Sequence, residues 1–68
     1  MTMEITVNGD PRQLPENSTL DGLIRNLGLS PATVAALVND EIVEREHFET
    51  TQLSARDTVE LVRFVPGG

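Results

Sequence analysis

Cysteine is absent from this 68-residue chain. Neither a disulfide nor a thiolate-held metal can staple the fold, and any reactive thiol it meets must belong to a partner. Lysine is absent as well: five arginines face eleven acids, for a formal net charge of −6. Such a surface repels phosphate backbones and anionic lipid, which argues against a nucleic-acid or membrane-surface role. It suits a small protein that must find a basic dock on a larger one, because complementary charge speeds encounter. No apolar run approaches the ~20 residues needed to cross a bilayer. The opening Met1-Thr2-Met3-Glu4 carries no basic region and no long apolar stretch, unlike a signal peptide, so a cytoplasmic protein is expected. The length leaves room for one domain, which at this size buries only about 60% of the surface its unfolded chain exposes.

Within those limits the apolar residues are strongly patterned. Met3 to Val7 alternates apolar and polar, as a strand with one buried face does. Asn8-Gly9-Asp10-Pro11 signals a turn, after which Arg12 to Leu14 can pair back until Pro15 ends the hairpin. Leu20, Leu23, Ile24 and Leu27 fall at i, i+3, i+4 and i+7 and predict a helix over 18–27. Ser18 is placed to cap it, with Asp21 three residues on, and Gly28 is placed for the left-handed C-terminal cap. Gly22 inside that helix costs up to about 1 kcal/mol against alanine, and close approach to a neighbouring strand is the one reason the sequence suggests. Val34 to Val38 fits either a helix begun at Ser30-Pro31 or a central strand ended at Asn39-Asp40. Ile42-Val43 suggests a short extension, and Phe48 is the anchor of the polar stretch from Glu44 to Gln52. After a turn at Ser54 to Asp57, Thr58 to Val65 is the strongest strand, stopped by Pro66. A helix lying across one face of a mixed sheet buries both amphipathic surfaces, with the first and last strands side by side in parallel.

The chain ends Val65-Pro66-Gly67-Gly68. Two glycines after a core strand put the terminal carboxylate at the tip of a thin thread without side chains. A partner can admit such a thread through a channel too narrow for a Cβ. A carboxylate becomes an acyl donor once ATP converts it to an acyl-adenylate, and a sulfur nucleophile can then displace AMP. With no cysteine in the chain, that sulfur must come from outside. The plain alternative is a frayed end, although two terminal glycines arise by chance well under about one time in a hundred at ordinary composition.

Two further stretches carry a specific likeness. Leu37-Val38-Asn39-Asp40-Glu41-Ile42-Val43-Glu44-Arg45 and Leu53-Ser54-Ala55-Arg56-Asp57-Thr58-Val59-Glu60-Leu61-Val62, with the Gly-Gly end, resemble the sulfur carrier proteins of thiamine biosynthesis. Arg56 stands where that family usually has glycine and Glu44 where proline is frequent. The resemblance implies an α+β fold of the ubiquitin-like β-grasp type, a four- or five-stranded mixed sheet with one main helix on one face. It implies a single domain over 1–65 and a flexible tail over 66–68. It also implies a carrier and not an enzyme, with no catalytic residue, metal or bound cofactor of its own. An E1-like adenylyltransferase would use its own bound ATP to adenylate Gly68, with Gly67 and Pro66 threading its active site. A sulfur donor such as a cysteine desulfurase would supply the thiocarboxylate sulfur, and thiazole synthase would receive it. Other carriers of the same superfamily serve molybdopterin, tRNA thiolation or cysteine synthesis, and its protein modifiers form isopeptide bonds, so those readings stay open.

The remaining candidates are weighed on their surroundings. Val62 and Phe64 alternate with Val59 and Leu61, which points them to the sheet face opposite the helix as docking residues. A loop covering Phe64 is the alternative. His47, the one histidine, has no nucleophile or orienting group nearby in sequence and reads as a solvated side chain. Asp40, Glu41, Glu44, Glu46 and Glu49 lack calcium-loop spacing. No Gly-rich phosphate loop is present, so ATP belongs to the partner.

Overall fold

A computed structural model describes residues 1–64; the expectations placed on Val65, Pro66, Gly67 and Gly68 lie outside the described residues. The elements are β1 (Thr2–Val7), β2 (Asp10–Pro15), α1 (Leu20–Asn26), β3 (Val34–Val38), β4 (Glu41–Val43) and β5 (Thr58–Arg63). Short 3-10 turns at Pro31–Thr33 and Arg45–His47 join them. The five strands form one mixed sheet in the order β2-β1-β5-β3-β4, in which only the β1–β5 pairing is parallel.

The hairpin turns on Asn8 and Gly9 alone, with φ of 50° and 87°. Asp10 and Pro11, expected in the turn, already belong to β2, where Pro11 faces Thr6. The bonded pairs of a two-residue hairpin fall at Asp10, Arg12 and Leu14, so Pro11 and Pro15 turn their missing N–H groups outward. Two prolines therefore block pairing along the free edge of β2.

Helix α1 shows why its ends fall where they do. Thr19, and not Ser18, is the N-cap: its Oγ1 accepts from the Gly22 amide at 3.1 Å. Ser18 Oγ instead donates to the Pro15 carbonyl at 2.6 Å. The Leu20 and Asp21 amides donate to the carbonyls of Thr51 and Phe48, so the loop between β4 and β5 completes the cap from outside the helix. At the other end Gly28 has φ 79°, its amide donates to Arg25 and that of Leu29 to Ile24, the paired bonds of a Schellman motif. Gly22 is not approached by a strand: an added Cβ would meet only Thr19 Oγ1, at 3.4 Å.

The ambiguous segment resolves into both of its readings in turn. Ser30-Pro31 does start a helical turn, with Ser30 Oγ accepting from Ala32, but it lasts only to Thr33. Val34 then enters the strand. The core lies between the sheet and α1 and includes Ile5, Val7, Leu20, Leu23, Ile24, Val59 and Leu61. Phe48 is 1% exposed and closes the end of that core under the capping loop. Leu27 is only half-buried at its margin.

The two departures from the family pattern have visible backbone settings. Glu44 sits at φ −73°, which proline adopts without strain. Arg56 sits at φ 71° while its amide donates to Glu4 at 2.7 Å, a conformation glycine adopts freely. Arg56→Gly should therefore raise stability by roughly 0.5–1 kcal/mol in urea unfolding. Leu23→Ala, at a wholly buried position, should cost about 2–5 kcal/mol in the same measurement.

Candidate functional site

One helix covers one face of the sheet, and the opposite face carries an apolar strip. In the antiparallel ladder between β3 and β5, Ala35 faces Val62 and Leu37 faces Glu60, while Leu37 also faces Ile42 across β4. Side chains of directly paired residues stand about 4.5–5.5 Å apart on one face. Ile42, Leu37, Ala35 and Val62 thus form a continuous strip, with Phe64 two residues beyond Val62. Ile42 is 76% exposed, Val62 55% and Phe64 48%. Glu60 is the one acid within the strip, at its β1 side.

Phe64 is not covered by a loop. Its amide donates to the Thr33 carbonyl at 3.0 Å, so β3 and its preceding turn hold the main chain of β5 to its last described residue. Expectation placed Val62 and Phe64 on this face, and the structure places them there. Ile42, Leu37 and Ala35 were not foreseen as their neighbours. For Leu37 and Ala35 the signal lay in the unbroken apolar run 34–38, which marks a strand apolar on both faces.

Two asparagines fix β5 from its two sides. Asn39, at φ 52°, donates its amide to Thr58 O at 2.7 Å and accepts from the Thr58 amide through Oδ1 at 3.0 Å. Its Nδ2 reaches Asp57 Oδ1 at 3.1 Å, and Asp57 Oδ2 accepts from the Ser54 amide at 2.8 Å. The residues behind the sequence likeness, Asn39 and Asp57, are therefore a clasp that starts β5. On the other side Asn8 accepts from the Leu61 amide at 2.8 Å and donates to the Leu61 carbonyl at 3.2 Å. Its side chain stands in for the next residue of a parallel strand.

His47 is exposed and its side chain enters none of the hydrogen bonds of the described residues. A surface depression of about 480 Å³ lies between α1 and the two 3-10 turns and includes no residue of β5. Its Arg25 is already paired with Asp21 at 2.8 Å. No helix among the described residues is long and apolar enough to cross a membrane.

The strand order, the single helix over one face and the parallel contact of first and last strands define a ubiquitin-like β-grasp domain. The sequence model of the ThiS family matches residues 5–68, and the chain belongs to that family. A thiamine biosynthesis protein (ThiS) from Geobacter metallireducens is 35% identical, and its crystal structure superposes with a TM-score of 0.80 over 97% of this chain and 100% of the other. The solution structure of a thiamine biosynthesis protein from that organism gives 0.77, over 97% and 88%. A thiazole synthase of Magnetococcus marinus is 36% identical over 66 residues, and one of Paramagnetospirillum magneticum is 30% identical over the same length. These cover 97% of this chain but 20% of each relative, so the chain spans about a fifth of their length.

The two faces of the sheet should respond differently to truncation. Leu61→Ala, on the helix face, should cost about 2–5 kcal/mol in urea unfolding. Ile42→Ser, on the open face, should stay within about 0.5 kcal/mol of the parent.

Proposed function

We propose that the chain is a sulfur carrier of thiamine biosynthesis, a co-substrate of partner enzymes with no catalytic site of its own. The observation that carries the reading is the family match, which runs through Gly67 and Gly68 themselves. Two kinds of relative support the pathway: solved structures named for thiamine biosynthesis, and thiazole synthases whose chains contain a segment like this one. The latter favour thiazole synthase as acceptor over the molybdopterin, tRNA and cysteine routes.

The chemistry takes place at the Gly68 carboxylate. One of its oxygens attacks the α-phosphorus of ATP on an E1-like adenylyltransferase, and pyrophosphate leaves. Sulfide then adds to the acyl carbon and AMP departs with the bonding pair, leaving a thiocarboxylate. Where a desulfurase persulfide supplies the sulfur, the first product is an acyl disulfide, and a thiol reduces its S–S bond to release the same group. Pro66 and Gly67 pass through the partner's channel, and glycine at 67 keeps that passage free of a Cβ. Docking falls to the strip of Ile42, Leu37, Val62 and Phe64, because a partner that holds the tail must also meet the strand before it.

Incubation with a cognate E1-like enzyme, ATP and sulfide should add the mass difference of one oxygen replaced by sulfur, located at Gly68. Deleting Gly68 should abolish the gain, and Gly67→Val should impair it, with the thermal midpoint unchanged in both. Equal thiolation of the truncated chain would rule out the carrier reading, and accumulation of higher-mass conjugates in its place would indicate a protein modifier. Phe64→Ala should weaken binding to the adenylating enzyme by about tenfold or more, the scale of a truncated interface anchor.

A further inference from the structure

On the helix side of β5, behind the apolar strip, lies a second feature that the carrier reading does not use. A groove of about 390 Å³ is bounded by Leu61 and Arg63 of β5, Asp10 and Arg12 of β2, and Leu27 and Leu29 at the end of α1. Register accounts for this lining. Asp10 faces Val7 and Arg12 faces Ile5, so both share the sheet face of the core residues Val7 and Ile5. Leu27 and Leu29 are only half-buried there, flanking the glycine that ends the helix.

The main chain along this groove is incomplete. Odd-numbered residues of β5, and Asp57 just before it, turn their main-chain groups toward β1: Asp57 O accepts from Thr6, Val59 O from Asn8, and Leu61 makes both its bonds with the Asn8 side chain. Arg63 continues that alternation, but β1 has already turned away at Asn8-Gly9. Among the described residues no backbone group meets the Arg63 N–H and C=O on that side. The charge is equally unbalanced. In a chain of net charge −6 the groove gathers two arginines against one acid, and the only ion pair among the described residues is Arg25–Asp21, elsewhere.

We propose that this groove takes an extended, acidic segment of the partner enzyme, which adds to the open edge of β5 at Arg63. Its main chain takes up the ladder where the Asn8 side chain leaves it. A carboxylate of the segment lies between Arg12 and Arg63, and an apolar side chain rests on Leu27 and Leu29. Pairing by main-chain bonds with selection by side-chain pockets is the ordinary mode of strand addition. The surface is continuous with the strand that carries the tail, so the partner grips β5 from both faces. The Asn8 side chain sets the register, because it occupies the last position a partner strand could otherwise claim.

The inference rests on the carrier reading, and the test separates the two. Binding of the parent chain to its cognate adenylating enzyme and to its cognate thiazole synthase is measured first by calorimetry; binding to neither overturns both. Arg63→Ala removes the side chain alone, whereas Arg63→Pro also removes the N–H. Loss of that N–H breaks no hydrogen bond within the described fold. For at least one of the two enzymes, Arg63→Pro should bind up to about tenfold more weakly than Arg63→Ala, the reach of one unmade hydrogen bond. Arg12→Glu should weaken binding to that enzyme further and reduce its salt dependence, with the thermal midpoint unchanged. Should Arg63→Pro unfold, Arg12→Glu and Arg63→Ala decide. Parent-like affinity of both for both enzymes, or of Arg63→Pro relative to Arg63→Ala in a folded protein, overturns the groove proposal while leaving the carrier reading intact.

Discussion

A single seven-residue helix can cover only one face of a five-stranded sheet. That limit governs everything else in the molecule. The covered face receives most of the large apolar side chains, because a domain this small has no second core to hold them. The other face must remain wet, and its apolar strip is therefore available without unfolding or rearrangement. Exposed apolar area on a small protein costs solubility, and six net negative charges offset that tendency.

Strand β5 is the centre of this arrangement in three respects. It is third of five in the sheet, it contributes Val59 and Leu61 to the core, and in sequence it is the last element before the Gly67-Gly68 end. Its position is fixed by polar contacts as well as burial: Asn39 starts it, Asn8 extends its ladder and Thr33 holds Phe64. Side-chain amides suit these posts because they donate and accept at once and tolerate the left-handed backbone of Asn8 and Asn39. A strand held at both ends gives the terminal residues a fixed origin, which lowers the entropy a partner must remove when it captures them.

Much of this was legible in the sequence, for physical reasons. The stripe Leu20-Leu23-Ile24-Leu27 and the alternation in β1 and β5 report burial directly, and burial decides the fold. Gly28 was readable because a left-handed cap asks for that residue type. The cap at the other end was misplaced by one position, since Ser18 and Thr19 are both competent and the choice rests on loop carbonyls from Thr51 and Phe48, distant in sequence. Val34 to Val38 stayed ambiguous because a strand apolar on both faces has no period to read. For the same reason Leu37 and Ala35 were missed beside Val62 and Phe64, and with them Ile42, which joins the strip only through its pairing with Leu37. The Asn39–Asp57 clasp joins two stretches that were noticed only as a likeness, and nothing in local pattern shows that they touch.

The charges divide in space as well as in number, and the division bears on how a partner approaches. Asp40, Glu41 and Glu44 lie on or beside β4, and Glu46 and Glu49 follow in the loop toward α1, whereas Arg12 and Arg63 share the β2–β5 groove with Asp10 alone of the acids. At physiological ionic strength a charge acts over about 8 Å, so these two regions attract different surfaces. A partner that is basic where it meets β4 and acidic where it meets the β2–β5 groove is favoured in one orientation only. Rim charges of this kind act on the rate of productive encounter more than on the lifetime of the complex. On the proposed carrier reading, in which one enzyme loads the chain and another empties it, fast oriented encounter with ready release serves better than tight binding.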